Sequence, residues 1–219
     1  MSVLKEIADS ERPASLAVSL RRKRFQLFLE LVESCPRRPL RILDVGGTES
    51  FWETMGFADA GHEITVLNLA QSVTRHENII SIAGDARSMP QFGDNSFDIV
   101  FSNSVIEHLR SWKNQRRMAE EVRRLAAKYF VQTPNYFFPV EPHFLFPGFQ
   151  FLPVPVRVWL LRHKSLGTYS RIDDRQRANE LVSEIRLLSK TQLKTLFPDA
   201  TILHERFLGM TKSLMAVRY

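Results

Sequence analysis

The chain has 219 residues, 44% hydrophobic and 25% charged, the balance of a globular protein built around one core. Its net charge of +6 admits anionic partners, although the basic residues are spread along helical stretches that would carry a solvated face in any case. A single cysteine, Cys35, excludes an intrachain disulfide framework, a thiolate zinc cluster and a paired-cysteine redox site, and points to a reducing, cytoplasmic compartment. The opening residues lack an apolar stretch of signal-peptide length, and the most apolar run, 136–161, is interrupted by prolines, Glu141, His143 and Arg157, so no transmembrane segment is expected.

In chain order, residues 1–40 read as a helical segment: Pro13 suits a first turn, and Leu16, Leu20, Leu27, Phe28 and Leu31 recur at helical spacing up to Cys35-Pro36. An apolar strand, Arg41 to Val45, then runs into the paired glycines Gly46 and Gly47, with a helix expected over 51–57. Strands follow at 63–67, 79–83, 97–102 and 128–132, with a helical pattern over 111–127 before the last. Strands alternating with helical connections imply parallel βαβ units with helices on both faces of the sheet. Residues 133–167 break this rhythm. Phe137, Phe138, Phe144, Phe146, Phe149, Phe151 and Trp159 there are punctuated by Pro134, Pro139, Pro142, Pro147, Pro153 and Pro155, a density expected to prevent a regular helix or a central strand. Helices are expected at 174–188 and 191–197, and two closing strands at 200–208 and 213–219, joined through Gly209. The reading is one α/β domain over 1–219. It has a doubly wound, mostly parallel seven-stranded sheet, an antiparallel C-terminal pair, and an inserted lid over 135–172.

The chemistry-bearing residues fall at strand ends. Ile42 to Ser50 is a strand ending in an acid, then glycines, then a helix start, an arrangement that brings backbone N–H groups close to a ligand because a Cβ would block the approach. It lacks the dinucleotide pattern G-x-G-x-x-G, and no Gly-Lys-Ser/Thr follows that would make it a P-loop. Asn68 and Leu69 follow the second strand, Gly84-Asp85-Ala86 the third, and Asn103-Ser104-Val105-Ile106-Glu107-His108-Leu109 the fourth. Ligands of open α/β sheets collect at that edge.

With these residues in order, the chain resembles the class I S-adenosylmethionine-dependent methyltransferase superfamily, within it the small-molecule group with a VIEHL-type segment after strand four. The resemblance covers roughly residues 41–135 and extends loosely to the closing strands. It implies S-adenosylmethionine as cofactor, with Asp44, Gly46, Gly47 and Thr48 around its methionine portion and Asn68 and Leu69 beside ribose and adenine. Asp85 and Ala86 would clamp the adenine, and Asn103, Ser104 and Val105 would flank the methionyl end. The chain departs from the family with Thr48 and Ser50 where glycine is common, and with Asn68 in place of an acid, a weaker ribose contact by about 1 kcal/mol.

His108 is the candidate general base for a hydroxyl acceptor, or else packs at the start of the next helix; Glu107 is expected to cap or pair locally. The lid is the expected acceptor site, an apolar pocket with Asn135, Glu141 and His143 as polar points. The implied activity is methyl transfer to oxygen or nitrogen of a small-molecule or lipid-like acceptor, with peripheral membrane contact through Arg157, Arg162, His163 and Lys164 as a further option. A nucleic-acid methyltransferase is disfavoured. Asn103-Ser104-Val105-Ile106 stands where base amino-group enzymes carry Asn/Asp-Pro-Pro-aromatic, and Cys35-Pro36 precedes the first strand, the wrong place for a nucleophile. The remaining alternative is a non-catalytic subunit that keeps the cofactor fold, for which the changes at Thr48 and Asn68 are the only support.

Overall fold

Apolar side chains on successive residues of each strand point to opposite faces, so the strands sort themselves into two cores. Strands β1 (Arg41–Val45), β2 (Glu63–Asn68), β3 (Ile79–Ala83), β4 (Ile99–Asn103) and β5 (Lys128–Pro134) send Ile42, Ile64, Phe101 and Phe130 to one face and Leu43, Leu67, Val100 and Val131 to the other. Helices α1 (Leu16–Glu33) and α2 (Glu49–Met55) cover the first face with Phe25, Phe28, Leu31 and Trp52. Helices α3 (Trp112–Leu125) and α6 (Lys190–Leu196) cover the second with Met118, Val122, Leu125, Leu193 and Leu196. These relations come from a computed structural model that describes residues 16–36 and 38–219; the helix start expected at Pro13 lies outside the described residues.

The sheet has seven strands in the order β3-β2-β1-β4-β5-β9-β8, where β8 is Thr201–Phe207 and β9 is Met210–Arg218. Pairing is parallel from β3 through β5 and antiparallel for β5–β9 and β8–β9. The expected fold class is the one observed. From β1 the chain builds outward through β2 and β3, then returns to place β4 on the other flank of β1. That reversal opens a crevice beyond the carboxyl ends of β1 and β4.

Three expectations are corrected. The β2–β3 and β3–β4 connections carry no helix; the second is pinned instead by Arg124, which donates to the carbonyls of Met89 and Phe92 and to Asp94. The proline-rich stretch does form a helix, α4 (Val154–His163), because Pro153 sits at its N-cap and Pro155 in its first turn, where no backbone N–H is required. Thr133 and Pro134 also extend the interior strand β5, Pro134 being its last residue. Helix α1 ends at Glu33, close to the stop expected at Cys35-Pro36. There the Ser34 amide and the Arg38 guanidinium take the carbonyls of Glu30 and Val32.

The rest of the insertion is a short hairpin of β6 (Val140–Glu141) and β7 (Phe146–Pro147), which packs with α4 and α5 (Arg175–Glu184). Its third cluster gathers Phe144, Phe149, Leu161, Leu181 and Val182. No helix among the described residues is long and apolar enough to cross a membrane.

Candidate functional site

The loop after β1 is shaped by glycine. Gly46 has φ +79°, its amide donates to the Leu67 carbonyl at 2.7 Å, and a Cβ there would stand 2.6 Å from a methyl of Val105. A Cβ on Gly47 would fall 1.8 Å from the Asp44 carboxylate. Asp44 is buried; its Oδ2 accepts from Trp52 Nε1 at 2.8 Å, while its Oδ1 has no hydrogen-bond partner. Burial raises its pKa to about 7, against the smaller lowering effect of the Trp52 hydrogen bond. A cation arriving past Gly46 and Gly47 would therefore meet an unsatisfied acceptor.

Beyond this loop lies a cavity of about 520 Å³ over the strand ends. Of the residues singled out from sequence, it is lined by Gly46, Asn68, Leu69, Asp85, Ala86, Ser104, Val105 and His108. Asp44, Gly47, Thr48 and Asn103 do not line it: Asp44 lies buried at the end of β1, Thr48 Oγ1 contacts Ser50 Oγ at 3.0 Å, and Asn103 ends β4 opposite Gln132. Asn68 is turned onto the main chain. Its Nδ2 donates to the Gly47 carbonyl at 3.3 Å, and its Oδ1 accepts from the Leu69 amide at 2.9 Å. Ser104 holds φ +58°, a costly conformation for a residue with a side chain, fixed by its amide and hydroxyl donating to Gln132.

Asp85 is paired with Arg87, whose Nε and Nη2 reach the carboxylate at 2.8 and 2.5 Å and hold its pKa below the ordinary value. Arg87, Arg110 and Glu184 also line the cavity, and sequence reasoning missed all three. Arg87, two residues beyond Asp85, was a usable signal. Glu184 was not, since it arrives from the end of a distant helix.

The fourth strand ends in a one-turn 3₁₀ helix, Ile106–Leu109, tied down by Gln115 Nε2 on the Ile106 carbonyl and by the Arg186 amide on the Glu107 carbonyl. Glu107 is fully buried. Its Oε2 accepts from Thr133 Oγ1 at 3.0 Å, its Oε1 has no partner, and burial raises its pKa to about 7. His108 Nε2 lies 3.2 Å from His143 Nε2, with the two rings nearly perpendicular. His143 Nδ1 in turn lies 2.6 Å from Glu141 Oε1, and Glu141 Oε2 accepts from the amides of His143 and Phe144. Burial and the neighbouring His143 lower the His108 pKa. Burial opposes charge on His143 too, but the Glu141 hydrogen bond and the surrounding carboxylates outweigh it, and its pKa is raised.

A second cavity of about 470 Å³ lies under the lid, lined by Tyr136, Glu141, Phe144, Phe149, Gln150 and Arg157 among others. Gln150 Oε1 and Arg157 Nε are buried there without partners. Among the lid's expected polar points, Glu141 lines this cavity, and His143 lines neither cavity but lies between Glu141 of this one and His108 of the first. Asn135 does not line it. Its Nδ2 donates to the Thr211 carbonyl, latching the lid's start to the C-terminal hairpin. Trp159 faces outward, 53% exposed and stacked on His163.

Residues 43–128 match the family described as "Methyltransferase domain". Two uncharacterized proteins from strains of Mycobacterium tuberculosis are each 39% identical over 71 residues, 32% of this chain and 24% of theirs, so the match spans about a quarter of the length of those relatives. Among solved structures, an S-adenosylmethionine-dependent methyltransferase of Methanosarcina mazei superposes with a TM-score of 0.51 at 13% identity, covering 85% of this chain and 94% of its own. The 1,6-didemethyltoxoflavin-N1-methyltransferase of Burkholderia thailandensis, solved with its acceptor and S-adenosylhomocysteine, gives 0.53 at 15% identity, covering 91% of this chain and 77% of its own.

Proposed function

We propose that the chain is a class I S-adenosylmethionine-dependent methyltransferase, a reading supported by its fold and by the family match over residues 43–128, and that it transfers the cofactor's methyl group to oxygen or nitrogen of a small-molecule or lipid-like acceptor. One observation carries this reading. The 520 Å³ cavity over the strand ends joins residues from the ends of β1, β2, β3 and β4, in the order the family resemblance requires.

The residues present fit the cofactor. Asp44 Oδ1 is a buried acceptor without a donor, suited to the ammonium of the methionyl group, and Gly46 and Gly47 leave the main chain bare where that group would lie. Asp85 and Ala86 stand where the adenine would rest, and Asn68 keeps carbonyl-oxygen capacity for one ribose hydroxyl beyond its bond to Leu69. When bound, the cofactor supplies an electrophilic methyl on sulfur, so alignment of the acceptor delivers much of the rate. Val105 presses on Gly46 and fixes the wall against which the methyl would sit. His108 is the candidate catalytic residue, because it lines the cofactor cavity and touches His143, which belongs to the lid.

The acceptor enters from the lid side, where Gln150 and Arg157 offer unsatisfied polar atoms among Phe144 and Phe149. The lipid-like end of the range is supported by the lid's outer surface, where Phe151, Val154, Val156 and Trp159 are exposed. Cytoplasmic residence accords with Cys35, a free buried thiol. The test is transfer of label from methyl-labelled cofactor into fractionated small-molecule and lipid extracts. Label in a low-molecular-weight fraction supports the proposal. Label in nucleic acid alone, or no transfer despite cofactor binding, contradicts it.

A further inference from the structure

His108, His143 and Glu107 converge from two separate segments of the chain. The first and last are fixed by the 3₁₀ turn after β4, and His143 arrives on the lid hairpin. One ligating atom from each lies within 4.8 Å of the other two. The two Nε2 atoms, 3.2 Å apart, are spaced as two imidazoles on one ion would be: nitrogens about 2.0–2.1 Å from a tetrahedral metal stand roughly 3.3 Å from each other. An independent observation points the same way. Glu107 is fully buried, yet its Oε1 has no partner, an arrangement that is costly unless something positive completes it.

The outer shell is also in place. A metal-bound histidine typically donates its far ring N–H to a carboxylate, and His143 Nδ1 lies 2.6 Å from Glu141 Oε1. Glu141 is itself held by two backbone amides, so the ring has one orientation. A second acidic–histidine group, Glu49, Glu53 and His76, lacks these features. It lies at the surface, and Glu49 already accepts from the amides of Arg75 and His76.

We propose that Glu107, His108 and His143 bind one borderline divalent cation, of the zinc kind, beside the cavity over the strand ends, where it holds the hydroxyl oxygen that receives the methyl group. Two imidazoles and one carboxylate suit such ions better than magnesium or calcium, and three protein ligands leave a coordination position for a substrate atom. The second half of this inference rests on the methyl-transfer reading; the cation site itself does not. Bound to the cation, the acceptor hydroxyl gives up its proton to water at lower cost. Its oxygen lone pair forms the new O–C bond as the S–C bond breaks, and that electron pair returns to sulfur, leaving a neutral thioether. The balance is one alcohol and one sulfonium converted to one methyl ether, one thioether and one proton. Oxygen rather than nitrogen is thereby the expected methyl acceptor.

The test titrates the metal-stripped full chain with cobalt(II), followed by its visible absorption, and with zinc by equilibrium dialysis. One equivalent is expected. His143→Ala and His108→Ala should each weaken binding by at least about 100-fold, and Glu141→Gln by about 10-fold or more. Glu107→Gln should lose the cobalt spectrum's carboxylate-dependent features and bind more weakly. If an alanine variant fails to fold, His143→Asn serves in its place, and circular dichroism reports folding for each. His76→Ala should leave the stoichiometry and affinity unchanged. Binding of less than about 0.2 equivalent, or an affinity indifferent to the residue at 143, overturns the site. Calorimetry with S-adenosylhomocysteine on the same samples separates the two claims. Cofactor product bound without metal defeats this inference alone; metal bound without cofactor product defeats the methyl-transfer reading and leaves the cation site standing.

Discussion

The cavity over the strand ends and the cavity lined by the inserted segment are built in different ways. On the sheet side Gly46 brings main chain to the wall, and polar side chains such as Asn68 and Asp85 are already paired with near neighbours. On the lid side the walls are side chains, and Gln150 and Arg157 keep buried polar atoms unmatched. A surface whose polar groups are held by their neighbours suits a ligand of one shape. A surface of side chains can be altered by substitution without disturbing the sheet. The contrast is what a shared cofactor and a family-specific acceptor would require of one fold.

Asp44 is the exception on the sheet side, and it gives the hardest test of the contrast. Asp44→Ala should weaken S-adenosylhomocysteine binding by more than about 100-fold in calorimetry, since a buried charge partner is lost along with the Trp52 bond. An unchanged affinity would mean the ligand does not reach that loop. His108→Ala should cut turnover by about 100-fold or more while leaving the S-adenosylhomocysteine affinity within about threefold. A parallel loss of binding and rate would place His108 in the cofactor wall alone.

The third prediction follows from the raised pKa of Asp44, about 7 in the free protein. The folded state holds this proton more tightly than the unfolded chain does. Asp44 therefore subtracts stability progressively as pH rises from the ordinary carboxylate range toward 7, where its ionised form is buried without a full set of partners. A ligand ammonium favours the ionised form. Affinity should then climb by up to about tenfold per pH unit below 7 and flatten above it, with a proton released on binding at pH 6. A flat profile between pH 5.5 and 8 would contradict the pairing. The smallest effect is expected at Arg87→Ala. Removing this half-exposed partner of Asp85 should change the S-adenosylhomocysteine affinity by less than about threefold. A large loss would make Arg87 itself a ligand contact.

The sheet was legible in the sequence because short apolar, β-branched runs and glycine at strand ends are local signals. Residues 79–83 were read as a strand at their observed bounds, and the Leu208–Gly209 turn joins the last two strands near the expected glycine. The lid was less legible. Its prolines are also compatible with a helix start, and only packing against α5 decides that 154–163 coils. Glu107 could be seen beside His108, but its complete burial and its bond to Thr133, 26 residues away, could not. The outward turn of Trp159 and the locking of Asn135 onto Thr211 are likewise long-range outcomes that no local pattern records.

The central claim is tested most directly by a crystal structure of the full chain grown with S-adenosylhomocysteine. The account predicts homocysteine density beside Gly46 and Gly47, its ammonium directed at Asp44, and adenine against Asp85 and Ala86. Density elsewhere, or a crevice at the β1–β4 junction that remains closed by side chains at saturating ligand, would contradict it.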